Sequence, residues 1–350
     1  MAILRFYNVG ISSIAACVPK NISYNKDLDY LIPANTIEKM IETTGIIEKR
    51  FVDKETCASD LCFKAAEKLI TDNNIDKGEI DILLFLSQTP DYLIPATSPI
   101  LQERLGLPKE TACMDLTLAC SGFIYALSTA YAYASLPSVR KVLLLVGDTF
   151  SKISNPKDRV NFPLYGDAGT ACIVEKGNYE ESIFELTSDG SGADNVMVPA
   201  MGYRHKITQD DLMDKEREDG NYRSEMDITM DGMKTFDHAI IVIPKQVKTL
   251  MRDANITPDN IDYVISHQAN KMMITFIMKR LKIDMAKVPF CLDKFGNTSS
   301  PSIPLTIVSE LDGKLNGEKK LLLSAIGAGW TFATAYIKTN NIKISHILEY

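Results

Sequence analysis

The stretch IDILLFL, residues Ile80–Leu86, is an apolar run that only Asp81 interrupts. An apolar run without alternating polar residues is typical of a β-strand that is covered on both faces. Apolar residues at helical spacing precede it at Ala58–Ile70, and a second apolar run, KVLLLVG, follows at Lys141–Gly147. Between the two runs, Ser121–Ser135 is rich in Ala, Leu and Tyr and predicts a buried helix. Helices that alternate with covered strands predict an α/β fold.

The second half of the chain repeats this order of helix and strand. The pattern Ile-x4-Ile-Asp begins at Ile75 and recurs at Ile256, after a helical stretch at Phe236–Met251. Further on, KKLLLSAIGAG at Lys319–Gly329 is similar to KVLLLVGD in the first half. An internal duplication explains this order better than chance, although any large α/β protein reuses such strand sequences.

A polar connection separates the two repeats. Residues 177–231 contain clusters of Gly, Asp and Glu, few long apolar runs and the charged segment TQDDLMDKEREDG. We therefore predict an N-terminal half at 1–176 and a C-terminal half at 177–350, which begins with this loop-rich connection. The segment is either a solvated connection or a loop that borders a substrate entrance, since long loops on rigid scaffolds often carry binding groups.

The composition is that of a soluble globular protein. Of the 350 residues, 45% are hydrophobic and 24% are charged, which is close to the average for globular chains. The net charge of −7 argues against a nucleic-acid partner, because phosphate binding requires clustered Lys and Arg. The first ten residues lack the apolar core of a secretory signal, and no apolar run is long enough to span a bilayer. We expect a cytoplasmic protein without a membrane partner.

Seven cysteines are scattered along the chain without a Cys-x-x-Cys pair. Their odd number and their spacing argue against a disulfide framework and against a zinc site. Unpaired cysteines are typical of a reducing compartment, which agrees with a cytoplasmic location.

Cys120 lies in DLTLACSGFIYAL (Asp115–Leu127), directly before the predicted buried helix. A thiol at the N-terminus of a helix meets unpaired N–H groups and the positive end of the helix dipole, and both favour the thiolate. The small residues Ser121 and Gly122 allow a tight turn and the close approach of an acyl group. A cysteine in such a run is otherwise a buried small hydrophobe, so the residue alone leaves catalysis and core packing open.

His267 lies in VISHQAN (Val264–Asn270), at the end of a predicted strand. Functional groups in α/β sheets gather where strands end and loops begin, which favours a functional role for this histidine over the other three. His238 lies in the helical stretch, whereas His205 and His346 lie in polar or terminal segments. A structural histidine with satisfied hydrogen bonds is the alternative.

Three turn-like segments are compatible with either chemistry or structure. Asn297 in FGNTSSPSIP is a candidate site residue, although Gly-Asn and Asn-Thr are also ordinary turn and N-cap residues. Gly327 and Gly329 follow an apolar strand and either present a backbone N–H to a substrate oxyanion or form only a tight turn. The segment YGDAG at Tyr165–Gly169 has the same two interpretations.

Taken in chain order, five segments resemble those of the ketoacyl synthase III family (3-oxoacyl-[acyl-carrier-protein] synthase III), which belongs to the thiolase-fold condensing enzymes. The segments are ACSGF (119–123), YGDAG (165–169), SHQAN (266–270), FGNTSS (295–300) and IGAGWTF (326–332). His267 follows Cys120 by 147 residues and Asn297 follows His267 by 30, which is close to the spacing in the family. The TTGI segment before Arg50 is also similar to the family's N-terminal region, and the resemblance covers about residues 8–338.

The resemblance implies a thiolase-like fold, in which two duplicated α/β halves form a five-layered αβαβα core, usually in a homodimer. It implies that Cys120 is the acylated nucleophile and that His267 and Asn297 complete a catalytic triad. In this chemistry a thiolate takes the acyl group from a thioester, and a malonyl thioester then loses CO2 and condenses with it. His267 and Asn297 donate hydrogen bonds to the enolate, while N–H groups of Cys120 and of the Gly327–Gly329 loop hold the oxyanion.

The implied reaction is that of a β-ketoacyl-acyl-carrier-protein synthase III, an acyltransferase of fatty acid or related lipid and polyketide biosynthesis. The expected substrates are acyl and malonyl thioesters of coenzyme A or of acyl carrier protein, the expected partner is the carrier, and no metal or other cofactor is expected. Asn297 favours decarboxylating chemistry. A Glu at this position would serve as the base of a non-decarboxylating condensation, whereas Asn cannot remove a proton.

Some substrate contacts also follow from the resemblance. Arg159 matches an arginine on the coenzyme A side, and Ile94 resembles a position that lines the acyl pocket. The Trp and Arg that hold the adenine of coenzyme A in typical members are replaced by Lys39 and Thr43. This difference favours a primer on acyl carrier protein as an alternative to one on coenzyme A.

A basic carrier-docking helix is partly present after His267. Lys271, Lys279 and Arg280 match its basic positions, while Met272 replaces a usual arginine. The same three residues would also fit an ordinary solvated face of a helix.

Two other functions are compatible with the sequence. An acyltransferase on the same scaffold would pass the acyl group of Cys120 to an alcohol or an amine without decarboxylation. A non-catalytic subunit of a synthase dimer is the other possibility. Such a subunit would be expected to lose its nucleophile, whereas Cys120, His267 and Asn297 are all present.

Overall fold

The computed structural model describes residues 2–350 of the chain. Its strands are β1 Ala2–Phe6, β2 Val9–Val18, β3 Ile22–Tyr24, β4 Glu48–Arg50, β5 Ile80–Leu86, β6 Ala112–Leu116, β7 Lys141–Thr149, β8 Asp167–Lys176, β9 Ser182–Ser188, β10 Val196–Met197, β11 Lys215–Glu216, β12 Tyr222–Arg223, β13 Thr229–Met230, β14 Tyr263–Ser266, β15 Glu318–Gly327, β16 Thr331–Asn340, β17 Lys343–Ile344 and β18 Leu348–Glu349. Its α-helices are α1 Ala34–Thr44, α2 Ala58–Asp72, α3 Thr97–Leu105, α4 Gly122–Ala134, α5 Gly232–Asp253, α6 Lys271–Leu281, α7 Leu292–Phe295 and α8 Ser302–Glu310.

Two β-sheets organise these elements. The first sheet has the order β17, β2, β8, β7, β5, β6, and β18 also pairs with β2; the second has the order β1, β9, β16, β15, β14. In the first sheet β5 and β7 are parallel and β7 and β8 are antiparallel. In the second sheet β14 and β15 are parallel and β15 and β16 are antiparallel. The two sheets therefore repeat one arrangement, as the duplication in the sequence predicts.

Burial on both faces explains why the apolar runs form the central strands. Strand β5 coincides with the predicted run, and β7 extends the predicted strand by two residues, to Thr149. Every residue of β7 after Lys141 is buried. The predicted buried helix is α4, in which only Ala132 is exposed. A helix that is apolar on all sides is expected in the interior of a large protein.

The elements stack in five layers. Helices α4 and α8 lie between the sheets and share one hydrophobic core with strands of both. Helices α2 and α3 cover the outer face of the first sheet, and α5 and α6 cover the outer face of the second. The predicted αβαβα core of two duplicated halves is confirmed. None of the helices in residues 2–350 is both long and apolar enough to cross a membrane.

The two halves exchange their terminal strands. Strand β1 joins the second sheet by pairing with β9, whereas β17 and β18 join the first sheet by pairing with β2. Between them, β8 ends at Lys176 in the first sheet and β9 begins at Ser182 in the second. The division into domains at 176/177 stays a prediction.

The connection from β9 to α5 contains little regular structure. Its strands are two short antiparallel pairs, β10 with β13 and β11 with β12. A buried ion pair fixes the connection to the first half, because Arg223 Nη1 lies 2.9 Å from Asp158 Oδ2. This connection therefore packs on the N-terminal half before the chain enters α5.

Candidate active site

Cys120 lies in the turn between β6 and α4. The turn is compact, since a Cβ on Gly122 would lie 2.9 Å from Leu86 Cδ2. Gly327, at the end of β15, has no space for a side chain either, because its Cβ would lie 2.7 Å from Ser121 Oγ and 3.0 Å from Ser121 N. The backbone at Gly327 therefore lies directly against the turn that carries the thiol.

The thiol of Cys120 is held in an environment of low polarity. Its Sγ lies 3.8 Å from Ser299 Oγ. Burial raises the pKa of Cys120 to about 12; the Ser299 contact lowers that pKa, and the Asp148 carboxylate raises it further. Desolvation therefore opposes the effect expected of the helix N-terminus, because burial disfavours the charged form. Burial thus favours the neutral form of the Cys120 thiol.

His267 directly follows β14, and its main-chain N–H donates to the Ser324 carbonyl at 2.9 Å. Its side chain is buried, and Nδ1 pairs with Ser302 Oγ at 2.7 Å, which fixes the orientation of the ring. Burial lowers the pKa of His267 to about 4, although a main-chain hydrogen bond at Ser299 acts in the opposite direction. The imidazole is therefore neutral near pH 7 and is able to donate or to accept a proton.

Asn297 is held by main-chain hydrogen bonds on both sides. Its N–H donates to the Leu164 carbonyl at 2.8 Å, and its carbonyl accepts from the Gly166 N–H at 3.1 Å. Gly166 has to be glycine, because a Cβ would lie 2.1 Å from the Phe295 carbonyl oxygen. The side-chain Oδ1 accepts from the Ser299 N–H at 2.9 Å. The described residues offer no acceptor to Nδ2, so this amide group is available to a substrate.

A buried carboxylate that the sequence did not single out lies behind these residues. Asp148, near the end of β7, accepts from the Gln88 N–H at 2.8 Å through Oδ1 and from the Ser300 N–H at 3.1 Å through Oδ2. Ser300 Oγ in turn donates to the Ala119 carbonyl at 3.0 Å. Burial raises the pKa of Asp148 to about 6, although these hydrogen bonds lower it. Ser300 thus connects the turn of the thiol with the turn of the carboxamide, and the Asp148 carboxylate holds Ser300 in place.

One cavity of about 780 Å³ brings the main candidates together, because Cys120, His267, Asn297 and Gly327 all line it. Cys120 follows β6, His267 follows β14, Asn297 precedes α8 and Gly327 ends β15. The cavity therefore lies where strands of both halves end. Ligand sites in α/β sheets are typically found at such strand ends. Gly329 is not among the residues that line the cavity, although it belongs to the same turn as Gly327.

Two residues that the resemblance implies as substrate contacts do not line this cavity in the single chain, so their role stays a prediction. Arg159 is exposed and outside the cavity, and its Nη2 donates to the Asp219 carbonyl at 2.9 Å, so its guanidinium braces the connection between the halves. Ile94 is 81% exposed and does not line the cavity either, because the tip of its loop projects into solvent. Its neighbours Tyr92 and Leu93 line the cavity instead.

Helix α6 carries the three predicted basic residues. Lys271 begins the helix, Lys279 and Arg280 lie near its end, and all three are exposed. Arg280 Nη1 donates to the Ile240 carbonyl at 3.0 Å and so ties α6 to α5. Met273, in the first turn of the same helix, lines the cavity. The basic face therefore belongs to a helix that begins at the site.

The cysteines of the chain are all unpaired. Cys57, at the start of α2, is a second thiol on the cavity. Within residues 2–350, no three His, Cys, Asp or Glu side chains form a group that would hold a metal ion.

Comparison with known proteins relates nearly the whole chain to one family. The family model described as 3-Oxoacyl-[acyl-carrier-protein (ACP)] synthase III matches residues 114–192, and the one described as its C terminal matches residues 251–339. A putative 3-oxoacyl-[acyl-carrier-protein] synthase 3 of Campylobacter jejuni is 33% identical over 99% of this chain and 98% of its own. A β-ketoacyl-[acyl-carrier-protein] synthase III of Chlamydia muridarum is 32% identical over 92% of this chain and 96% of its own. The crystal structure of a 3-oxoacyl-(acyl-carrier protein) synthase from Burkholderia xenovorans LB400 is similar with a TM-score of 0.92 and 33% identity, over 100% of this chain and 99% of that one.

The chain belongs to the 3-oxoacyl-[acyl-carrier-protein] synthase III family. The resemblance inferred from the five sequence segments is confirmed, and so is the thiolase fold. As a synthase III enzyme, the protein is an acyltransferase of the β-ketoacyl synthase type.

Several residues around this synthase III site carry no clear sequence signal. Ser299 and Ser302 hold the thiol and the imidazole, yet serine is common wherever a helix begins. Trp330 lines the cavity and belongs to the IGAGWTF segment, in which the sequence pointed to an individual role only for the glycines. Asp148 had the best available signal, because a carboxylate that ends a fully apolar strand is buried at the edge of a sheet and requires hydrogen-bond partners.

Proposed function

We propose that this enzyme transfers an acyl group from a thioester to Cys120 and condenses it with a malonyl group, with loss of CO2. The observation that carries the proposal is the common position of Cys120, His267 and Asn297 on one cavity. A thiol, a neutral imidazole and a carboxamide are the groups that this two-step chemistry requires.

In the first step the thiol attacks the carbonyl carbon of the primer thioester. A thiol whose pKa is raised to about 12 has to lose its proton as the new C–S bond forms. His267 is neutral, so it accepts that proton and passes it to the departing thiolate of coenzyme A or of the carrier. The products are the Cys120 thioester and a free thiol.

In the second step a malonyl thioester enters the cavity and loses its carboxylate as CO2. The electron pair of the broken C–C bond forms an enolate, whose oxygen accepts hydrogen bonds from Asn297 Nδ2 and from the His267 ring. The enolate carbon attacks the Cys120 thioester, and the sulfur leaves as a thiolate that takes up a proton. Asn297 stabilises the enolate but has no basic group, which suits decarboxylation rather than proton removal.

The oxyanion that forms in each acyl-transfer step requires N–H donors beside the thiol. We assign this role to the main-chain N–H of Cys120 and to the turn Gly327–Gly329, because the backbone at Gly327 lies against Ser121. One such donor typically contributes ~3 kcal/mol to the stabilisation of the transition state.

We propose acyl carrier protein as the protein partner, with thioesters of the carrier or of coenzyme A as substrates. The names of the matched relatives refer to acyl carrier protein, and α6 offers the exposed Lys271 and Lys279 for an acidic partner. The thioester bond activates both acyl groups, so the proposed steps involve no metal and no separate cofactor. We further propose a cytoplasmic location, since the unpaired cysteines suit a reducing compartment. We also propose a homodimer, which is the usual assembly of the family that the chain resembles.

Intact-protein mass spectrometry with acyl-coenzyme A and acyl-carrier donors tests the proposal. We expect the mass to rise by one acyl group in the wild type and in Asn297→Ala, and to stay unchanged in Cys120→Ala. With malonyl carrier protein, the wild type should release CO2 and a 3-oxoacyl product. Asn297→Ala should retain the acyl group and turn over at least about a hundred-fold more slowly, as when one preorganised donor is removed.

Cys113→Ala is the matched control, because Cys113 is a half-buried cysteine outside the cavity. Peptide mapping decides whether Cys57 or Cys120 carries the acyl group. Full condensation activity in Cys120→Ala would contradict the assignment of the nucleophile. Transfer of the acyl group to an alcohol or an amine without release of CO2 would contradict the assigned reaction.

A further inference from the structure

The cavity is much larger than the reacting groups require. Its volume of about 780 Å³ lies in the upper part of the range for ligand pockets, roughly 300–1,000 Å³. An acetyl group would fill about 60 Å³, if each carbon takes up as much room as a molecule of liquid water, about 30 Å³. The remaining volume is therefore available to a longer acyl group and to the arm that carries it.

The wall of the cavity that the connection between β9 and α5 contributes is apolar. It is formed by the pairing of β10 with β13, in which Val196 lies opposite Met230, together with Met201, Met226 and Ile228. All of these residues belong to the connection between the two halves, for which the sequence left open a solvated loop or a substrate entrance. The side chains on the cavity favour the second interpretation.

The apolar wall continues into a buried cluster. Ile228 is 3% exposed and packs with Phe150 and Tyr165, whose ring centroids are 5.1 Å apart. Among the described residues that line the cavity, Asp91 and Lys152 are the only members of the Asp, Glu, Lys and Arg group. Water is held poorly by such walls, whereas methionine side chains adapt to a flexible apolar ligand.

We infer that the primer of this enzyme is an apolar acyl chain of about six to twelve carbons, whose methylene groups lie against the wall of residues 196–230. At about 30 Å³ for each carbon, a ten-carbon chain would fill about 300 Å³ of the cavity. The remaining volume leaves space for part of the carrier arm. The inference rests on the proposed function, since it names the chain that Cys120 accepts.

A series of saturated acyl-coenzyme A donors with two to fourteen carbons tests the inference. We expect the rate of Cys120 acylation at low donor concentration to rise about four-fold per added methylene between four and ten carbons, which corresponds to ~0.8 kcal/mol per methylene. Acetyl as the fastest donor, or a rate that does not depend on length, would overturn the inference and leave the proposed function intact. No acylation by any of these donors or by the same acyl groups on acyl carrier protein would instead overturn the proposed function.

A larger side chain on the wall should shorten the preferred chain. We expect Met226→Trp to reduce acylation by the decanoyl donor at least ten-fold relative to the butanoyl donor. Met213→Trp is the matched control, because Met213 belongs to the same connection, is 62% exposed and does not line the cavity. Equal effects of both substitutions on the ratio of the two donors would contradict the inference.

A binding measurement keeps the inference testable if the variant of the wall folds poorly. Trp330 is the only tryptophan of the chain, is 4% exposed and lines the cavity, with its ring stacked on His238 at 5.4 Å. In Cys120→Ala, which cannot be acylated at this position, we expect decanoyl-coenzyme A to change the fluorescence of Trp330 saturably at far lower concentration than acetyl-coenzyme A. The same response to acetyl-coenzyme A or to coenzyme A alone would overturn the inference.

Discussion

At the scale of single residues, an unusual feature is that Asp148 and Lys49 are both buried, and no ion pair within the described chain includes either of them. Asp148 is fully buried among main-chain N–H donors behind the thiol. Lys49 is also fully buried, and its Nζ donates to Asn25 Oδ1 and lies 5.4 Å and 5.7 Å from the ring centroids of Phe51 and Phe162. Burial disfavours the charged form of both groups, which raises the pKa of the acid and lowers that of the base.

Replacement of Asp148 by Asn should change the ionisation of the nucleophile. Above pH 6 the carboxylate is charged and contributes to the raised pKa of Cys120. We expect Asp148→Asn to lower the pH at which Cys120 reacts half-maximally with iodoacetamide. The variant should also lose about 1–3 kcal/mol of the free energy of unfolding, because one of the two N–H groups now faces an amide NH2.

Asp167→Asn is the matched control for this prediction. Asp167 is an equally buried carboxylate that accepts from the N–H groups of Val52 and Ser151, and burial raises its pKa to about 6 as well. It is not among the groups that shift the pKa of Cys120. A shift of the alkylation profile in both variants, or in neither, would show that Asp148 does not act on the thiol through its charge.

Lys49 should make the stability of the protein depend on pH. Burial lowers the pKa of Lys49 to about 7, whereas the unfolded chain retains the ordinary value near 10.5. Between these values the unfolded chain binds more protons, so the free energy of unfolding should rise with pH, by at most about 1.4 kcal/mol per pH unit. Below pH 7 this stabilisation is absent, because the folded protein has to bury a charged ammonium group.

Chemical denaturation at several pH values between 7 and 9 measures this slope in the wild type and in Lys49→Met. We expect a flatter dependence in the variant, since the group that titrates differently in the two states has been removed. Lys20→Met, at an exposed position, controls for the loss of one positive charge from the chain. An unchanged slope in Lys49→Met would contradict the prediction.

At the scale of elements, helix α6 combines two surfaces with different roles. Its buried residues, which include Met273, Ile277 and Leu281, follow helical spacing and pack against the second sheet and α5. On the opposite side Lys271, Thr275 and Lys279 succeed one another at intervals of four residues and therefore lie along one exposed face. The local pattern fixes both surfaces, because a helix presents residues three and four apart on the same side.

Charge reversal on this face should weaken the use of carrier-bound substrates. We expect Lys279→Glu to raise KM for malonyl carrier protein several-fold, with little change in kcat and in the acylation of Cys120 by acyl-coenzyme A. Lys248→Glu, at an exposed position of α5, is the matched control. The increase in KM should disappear at high salt, since contacts between exposed charges are screened. Equal KM values for both variants would argue against α6 as the docking surface.

At the scale of the whole molecule, the chain ends connect the two sheets. Strand β1 completes the edge of the second sheet, while β17 and β18 pair with the exposed edge of β2 in the first. Ile344 and Leu348 of these C-terminal strands also pack on the hydrophobic cores. The residues beyond 339 lie past the segment that the family model matches, and they protect an edge that is otherwise open to pairing with other chains.

Removal of residues 343–350 should therefore destabilise the enzyme without removing any residue of the site. The deletion exposes the edge of β2 and the apolar surface that Ile344, Ile347 and Leu348 cover. We expect a loss of roughly 2–4 kcal/mol in the free energy of unfolding and a greater tendency to aggregate on heating. Calorimetry and light scattering measure both effects, and an unchanged Tm would contradict the role of these strands.

The sequence by itself determined the elements whose signal is local. The runs at 80–86 and 141–147 were typical of covered strands, and the stretch at 121–135 predicted a buried helix. The recurrence of this order favoured two similar halves. The order and spacing of the segments around Cys120, His267 and Asn297 identified the family, because these short motifs are recognisable from the residues themselves. The local patterns placed Cys120 and Asn297 before helices and His267 at the end of a strand, where they are found.

Only the tertiary structure decided the burial and the protonation of those residues. The raised pKa of Cys120, the neutral state of His267 and the role of Asp148 depend on burial by segments that are distant in the chain. The sequence also did not reveal that Arg159 and Ile94 lie outside the cavity or that the two halves exchange their terminal strands. It did not reveal either that the polar connection contributes an apolar wall to the cavity. Local sequence patterns record the period of an element, whereas desolvation and cavity shape arise only when remote elements exclude water together.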